Sequence, residues 1–167
     1  MPDRVAAVLM TSDWRVLAVR HRHPDGAEYR TLPGGTVRET DPDHDGALRR
    51  VLRALLRCAV EVGPLVCVVR TGEQDEYVFA AWAEDGGDLP GPDPAEAEPA
   101  PGAFVWDHVV YDKSAIYAAG FVPHQVTYFL AGHCHHGHDP RRLPDVRSRR
   151  PSVRRHHGPD TSGRPPR

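Results

Sequence analysis

Pro33, Gly34 and Gly35 interrupt the chain between a β-rich stretch and a helical one, and this break limits the possible folds more than any other feature. Ahead of it, RVAAVLM and RVLAVRH are apolar, β-branched runs joined by the polar turn TSDW, the pattern of an antiparallel hairpin. HPDGAE makes a second turn before a short strand at 29–32. Behind the break, an acidic loop leads into a helix over 45–57, with Asp45 as its N-cap and Leu48, Leu52, Leu55 and Leu56 at helical spacing. Two glycines between strand and helix let the backbone approach a ligand closely.

The remainder continues the alternation. PLVCVVRTG and DEYVFAAWAE are two further strands, AFVWDHVVYD is another, and VPHQVTYFLAG is a short closing helix with Pro123 near its first turn. The predicted order is strand, strand, strand, helix, strand, strand, strand, helix, which fits a mixed sheet flanked by helices in the α+β class, as an α/β/α sandwich. Between the last strands lies DGGDLPGPDPAEAEPAPG, almost without apolar side chains, which reads as a flexible acidic Pro-rich insertion over 85–103. After Gly132 too few large hydrophobes remain to form a core, so the domain is expected to span 1–132 and 133–167 to be a disordered His/Arg/Pro-rich tail.

A chain of 167 residues suits one domain with one core. No window approaches eighteen apolar residues, and the N-terminus lacks the basic region and cleavage site of a secretory signal, so the expectation is a cytoplasmic protein without membrane contact. Three cysteines, an odd number, argue against a disulfide framework; Cys58 and Cys67 read as small buried hydrophobes. The net charge of −2 conceals a split, with nine Arg against three Asp in 133–167 and a strongly acidic body before it.

The stretch LPGGTVRETDPDHDGALRRVLRALLRC resembles the Nudix family, whose box reads G-x5-E-x7-R-E-U-x-E-E-x-G-U, with U a bulky aliphatic residue. The resemblance extends over about 4–130 and implies an α/β/α sandwich, hydrolysis of a nucleoside diphosphate linked to another group, and divalent metals held on the diphosphate. Mg²⁺ or Mn²⁺ would neutralise and polarise the diphosphate, and needs hard carboxylate oxygens on one helix face at spacings of three and four residues. Gly34, Gly35 and Arg50 match the box and are the substrate-binding candidates it implies. Val51, Ala54 and Leu55 stand where the box has its helix glutamates, and no acidic residue lies between Asp45 and Glu61, so no shift of register restores them. The loop carries one extra residue, which puts Asp41 or Pro42 at the position of the loop glutamate.

Three readings follow. The first is a Nudix-fold protein that binds a nucleotide or other phosphorylated small molecule, with weak or absent pyrophosphohydrolase activity. The second is an active hydrolase whose Mg²⁺ or Mn²⁺ has moved to Glu39, Asp41, Asp43 and Asp45, three of which also alternate as in the first half of a calcium loop. In that reading Glu96 or Glu98 of the insertion is the general base. The third is a non-catalytic ligand-sensing or interaction module.

Two further constellations stand outside the box. His133, Cys134, His135, His136 and His138 are ligand types for a transition metal, though density alone fixes no geometry. The Arg pairs at 141–142, 149–150 and 154–155 suit weak, salt-sensitive nucleic-acid contact or folding back on the acidic body. A homodimer is the assembly that the family resemblance suggests.

Overall fold

Alternation along the first strand feeds two separate cores. Strand β1 (Arg4–Leu9) sends Val5, Ala7 and Leu9 into one cluster of buried side chains and Ala6 and Val8 into another. A strand buried on both faces has to be interior to a layered structure. In the computed structural model, which describes residues 1–23, 25–56, 58–83, 89–90 and 104–148, β1 lies inside a four-stranded mixed sheet. Its neighbours are β4 (Gly34–Thr36), antiparallel, and β6 (Gln74–Ala83), parallel; β5 (Val60–Thr71) completes the order β4-β1-β6-β5. A second, antiparallel sheet has the order β3-β2-β7, from β2 (Arg15–Arg22), β3 (Glu28–Thr31) and β7 (Val105–Val110).

Helix α1 (His44–Leu56) covers one core with Ala47, Leu48, Val51, Leu52 and Leu56, a stripe at the spacing of successive helical turns. Leu48 and Leu52 are fully buried, each worth roughly 2–3 kcal/mol of transfer free energy. Helices α2 (Lys113–Ala119) and α3 (His124–His135) cover the other core, to which they give Ile116, Ala119, Val126, Leu130 and Ala131. The α+β class, with helices on both sides of a mixed sheet, is as expected.

Three local expectations change. β1 and β2 do not pair as a hairpin: they meet only at the bridge between Met10 and Val16 and then belong to different sheets. The turn between them is closed by Trp14, a non-glycine residue at φ +59°. Gly34 and Gly35, expected only to end a strand, form β4 by backbone pairing with Val5 and Ala6. A Cβ on Gly34 would collide with the Val5 carbonyl oxygen and lie 2.9 Å from Ala6 Cα, so no other residue fits. Asp43, not Asp45, caps α1: its Oδ1 accepts from Gly46 N at 2.7 Å.

The expected boundary after Gly132 also moves. α3 runs through it to His135, and 3-10 turns follow at Pro140–Arg142 and Val146–Ser148. Pro140 is buried, while Leu143 and Val146 pack against the two cores, so 133–148 belong to the folded body. Three small contacts replace the large hydrophobes whose scarcity suggested a tail. The rest of that tail, the two outer Arg pairs and nearly all of the 85–103 insertion lie outside the described residues.

Candidate functional site at the junction of β4 and α1

The chain passes from β4 to α1 through an acidic loop, and the first question is what its carboxylates hold. Arg50, one turn and a half into α1, reaches back across the loop. Its Nε and Nη2 donate to Asp41 Oδ1 and Oδ2, each at 2.7 Å, and Nη2 also donates to Thr36 O at 3.1 Å. Asp41 Oδ2 accepts from Arg38 N as well, at 2.8 Å. Such a bidentate, charge-assisted pair favours the ionised carboxylate, and Arg50 first, then the Arg38 amide, hold Asp41 down at about 2. The pair straps the loop to the helix.

The neighbouring acids are engaged elsewhere. Asp43 caps the helix, and Asp45 Oδ2 accepts from Arg147 Nη1 at 2.7 Å. Arg147 in turn is held by Asp145, whose Oδ2 also accepts from Leu65 N at 3.1 Å, and its guanidinium lies 5.5 Å from the centre of the Phe79 ring. Arg147 first, then the Leu65 and Arg147 amides, hold Asp145 at about 2. Glu39 is exposed. Among the described residues, no three His, Cys, Asp or Glu side chains are gathered so that they could close around a metal ion.

On the helix, Val51 is 8% exposed and its methyls sit over Gly35, where a Cβ would lie 3.1 and 3.2 Å from them. Leu55 packs against the same core, and Ala54 is exposed. The junction of loop and helix is thus closed by an apolar side chain. Arg49 and Arg53 are exposed, so of the described helix arginines Arg50 is the one tied to the loop. Glu96 and Glu98 lie outside the described residues.

A cavity of about 700 Å³, which sequence reasoning missed, opens at the carboxyl ends of β1 and β6. Met10, Trp14, Trp82, Leu89, His108 and Arg141 line it. Trp82 Nε1 donates to Glu61 Oε2 at 2.9 Å, which fixes its ring, and His108 Nε2 lies 2.8 Å from Pro90 O. Arg141 is already bidentate on Asp139, so the walls offer aromatic surface more than free charge. The one available signal was a Trp placed in a polar turn, TSDW, where nothing in the local pattern calls for an aromatic.

The His-rich stretch is the end of α3. His133 Nδ1 lies 3.2 Å from His138 Nδ1, and the Cys134 thiol donates to Ala131 O at 3.3 Å. Burial, then the charges of His138 and His136, lower the His133 pKa. Cys58 and Cys67 are partly buried and pack against the two cores as expected, and burial pushes the Cys67 thiol up to about 12. No helix among the described residues is long and apolar enough to cross a membrane.

No family model matches the chain, and no curated protein matches it. Solved structures do. A Nudix hydrolase from Nitrosomonas europaea superimposes with a TM-score of 0.56 at 16% identity, covering 86% of this chain and 92% of that one. The E. coli ORF135 protein gives 0.51 at 22% identity over 79% and 88% of the two chains. A MutT structure, from work on Aliivibrio salmonicida and Vibrio cholerae, gives 0.51 at 12% identity over 78% and 97%. At these identities the likeness is one of fold.

Proposed function

We propose, from the premise that this chain has the Nudix fold, that it binds a nucleotide or another phosphorylated small molecule and has little or no pyrophosphohydrolase activity. The observation that carries this reading is Val51 packed over Gly35, an apolar side chain at the junction where metal-dependent cleavage of a diphosphate would need a carboxylate. Arg50, which the family resemblance offered as a substrate contact, directs its Nε and Nη2 to Asp41 and Thr36 and acts as a positioning residue for the loop. Binding is supported by the cavity at the ends of β1 and β6, where Trp14 and Trp82 supply aromatic faces of the kind that stack on a base.

The reading in which Mg²⁺ or Mn²⁺ sits on Glu39, Asp41, Asp43 and Asp45 has less support, because three of these carboxylates already accept from Arg50, Gly46 N and Arg147. The deciding experiment is a thermal-shift screen of ADP-ribose, NADH and nucleoside triphosphates, with and without Mg²⁺, alongside chromatographic detection of any nucleoside monophosphate formed. A ligand that raises Tm equally with and without Mg²⁺, and is not turned over, is the expected result. Mg²⁺- or Mn²⁺-dependent turnover at ordinary enzymatic rates, about 1 s⁻¹ or faster, would overturn the proposal.

A further inference from the structure

We propose that His133 and His138 form a two-nitrogen chelate for a divalent cation of the Zn²⁺, Ni²⁺ or Cu²⁺ class, prearranged by the way α3 ends. The helix closes with the Gly137 amide donating to Cys134 O at 3.0 Å and the His138 amide donating to His133 O at 3.0 Å, while Gly137 adopts φ +64°. These are the two hydrogen bonds of a Schellman motif, which brings the side chain just past the left-handed glycine onto the one five residues earlier. In most such motifs that contact is apolar. Here both positions are histidine, and their Nδ1 atoms stand 3.2 Å apart.

That spacing suits a shared ion. With metal–nitrogen bonds of about 2.0–2.1 Å, two imidazole nitrogens are separated by about 2.9 Å at a right angle and about 3.4 Å at the tetrahedral angle. In the metal-free chain one Nδ1–H can donate to the other Nδ1. An incoming cation takes that place when the donor ring moves its proton to Nε2 by exchange with water, so no net proton is released. The helix C-terminus adds a favourable partial negative charge. His138 also lines a cavity of about 630 Å³ together with Trp14, which leaves room for water on the ion's remaining positions. His136, with its ring centre 5.5 Å from that of His138, stays outside the chelate, since no third ligand is gathered with the pair among the described residues. Cys134 is likewise turned away, toward Ala131 O.

The test is isothermal titration of the full chain with Ni²⁺ and with Zn²⁺, free of any affinity tag and with His156 and His157 replaced by Ala to remove the histidine pair of the C-terminal segment. One equivalent should bind, and His133→Ala and His138→Ala should each weaken binding about tenfold or more, about 1.4 kcal/mol or above. Gly137→Val, which keeps both imidazoles but not the turn, should weaken it comparably in a chain whose Tm confirms folding. His135→Ala, two residues along the helix from His133, should change nothing. Absence of a one-equivalent site, parent-like affinity in both His133→Ala and His138→Ala, or an equal loss in His135→Ala would each overturn the proposal.

Discussion

The acidic loop before α1 and the histidine turn after α3 are both dense in metal-ligating side chains, yet the fold treats them in opposite ways. In the loop, Asp41, Asp43 and Asp45 are each answered, by an arginine, a helix amide and a second arginine. In the turn, the two imidazoles face each other, Nδ1 to Nδ1. The difference teaches that the number of ligand atoms in a stretch says little about coordination. What counts is the capacity left after intramolecular partners have been served, because a cation must displace every hydrogen bond those atoms already make.

Each region rests on a glycine, and replacing the two glycines separates rigid support from adjustable support. Gly34→Ala should be the most damaging change, costing about 3 kcal/mol or more, since the new Cβ meets backbone on β1 that cannot move aside. Urea denaturation measures it; a cost under 1 kcal/mol would mean that β4 is not held against β1 as described. Gly137→Ala at φ +64° should cost only about 1–2 kcal/mol, the strain of a left-handed alanine with open space around it.

Next in size is Asp43→Ala, expected to lose about 1 kcal/mol with the helix cap, while Asp43→Asn should lose almost none. The pair of substitutions sharpens the contrast, because an aspartate holding a metal would tolerate neither. The smallest effect is on acid stability. The folded pKa of Asp41 lies near 2, below its ordinary value, so its pairing with Arg50 stabilises the protein fully above about pH 4 and is lost as pH falls toward 2. Asp41→Asn should therefore flatten the dependence of Tm on pH between 4 and 2; an unchanged slope would show that the Arg50 pair contributes nothing.

Much of this was legible in the chain. Apolar, β-branched runs bounded by turns gave β2, β5, β6 and β7, and leucine spacing gave α1 to within a residue of its start. What was not legible has physical reasons. β4 is Gly-Gly-Thr, a strand made by backbone pairing alone, with no side-chain pattern to read. α2 spans seven residues, too few for a helical period to declare itself. The separation of β1 from β2 into two sheets depends on which strands arrive later in the chain, so nothing in the TSDW turn could announce it. At the candidate site, the absence of carboxylates on α1 beyond its first turn was plain from Val51, Ala54 and Leu55. The partner of Arg50 was not, because Asp41, Asp43 and Asp45 alternate and only geometry selects among them.

The ordering of 139–148 was missed because its stability comes from aspartates that fold their own turns. Asp139 accepts from Arg141 N and Asp145 from Arg147 N, while Pro140, Leu143 and Val146 supply modest burial. Low hydrophobicity made the segment look unable to pack.

The Asp45–Arg147 contact joins residues 102 positions apart. Closing so long a loop is entropically expensive, and an exposed ion pair returns little early in folding, so this contact belongs among the last to form. Interactions absent from the folding transition state leave the folding rate nearly unchanged and instead slow unfolding. The first turn of α1 is therefore tied to the far end of the described chain by a contact whose removal, as in Arg147→Ala, should be read in a faster unfolding rate more than in a slower folding rate.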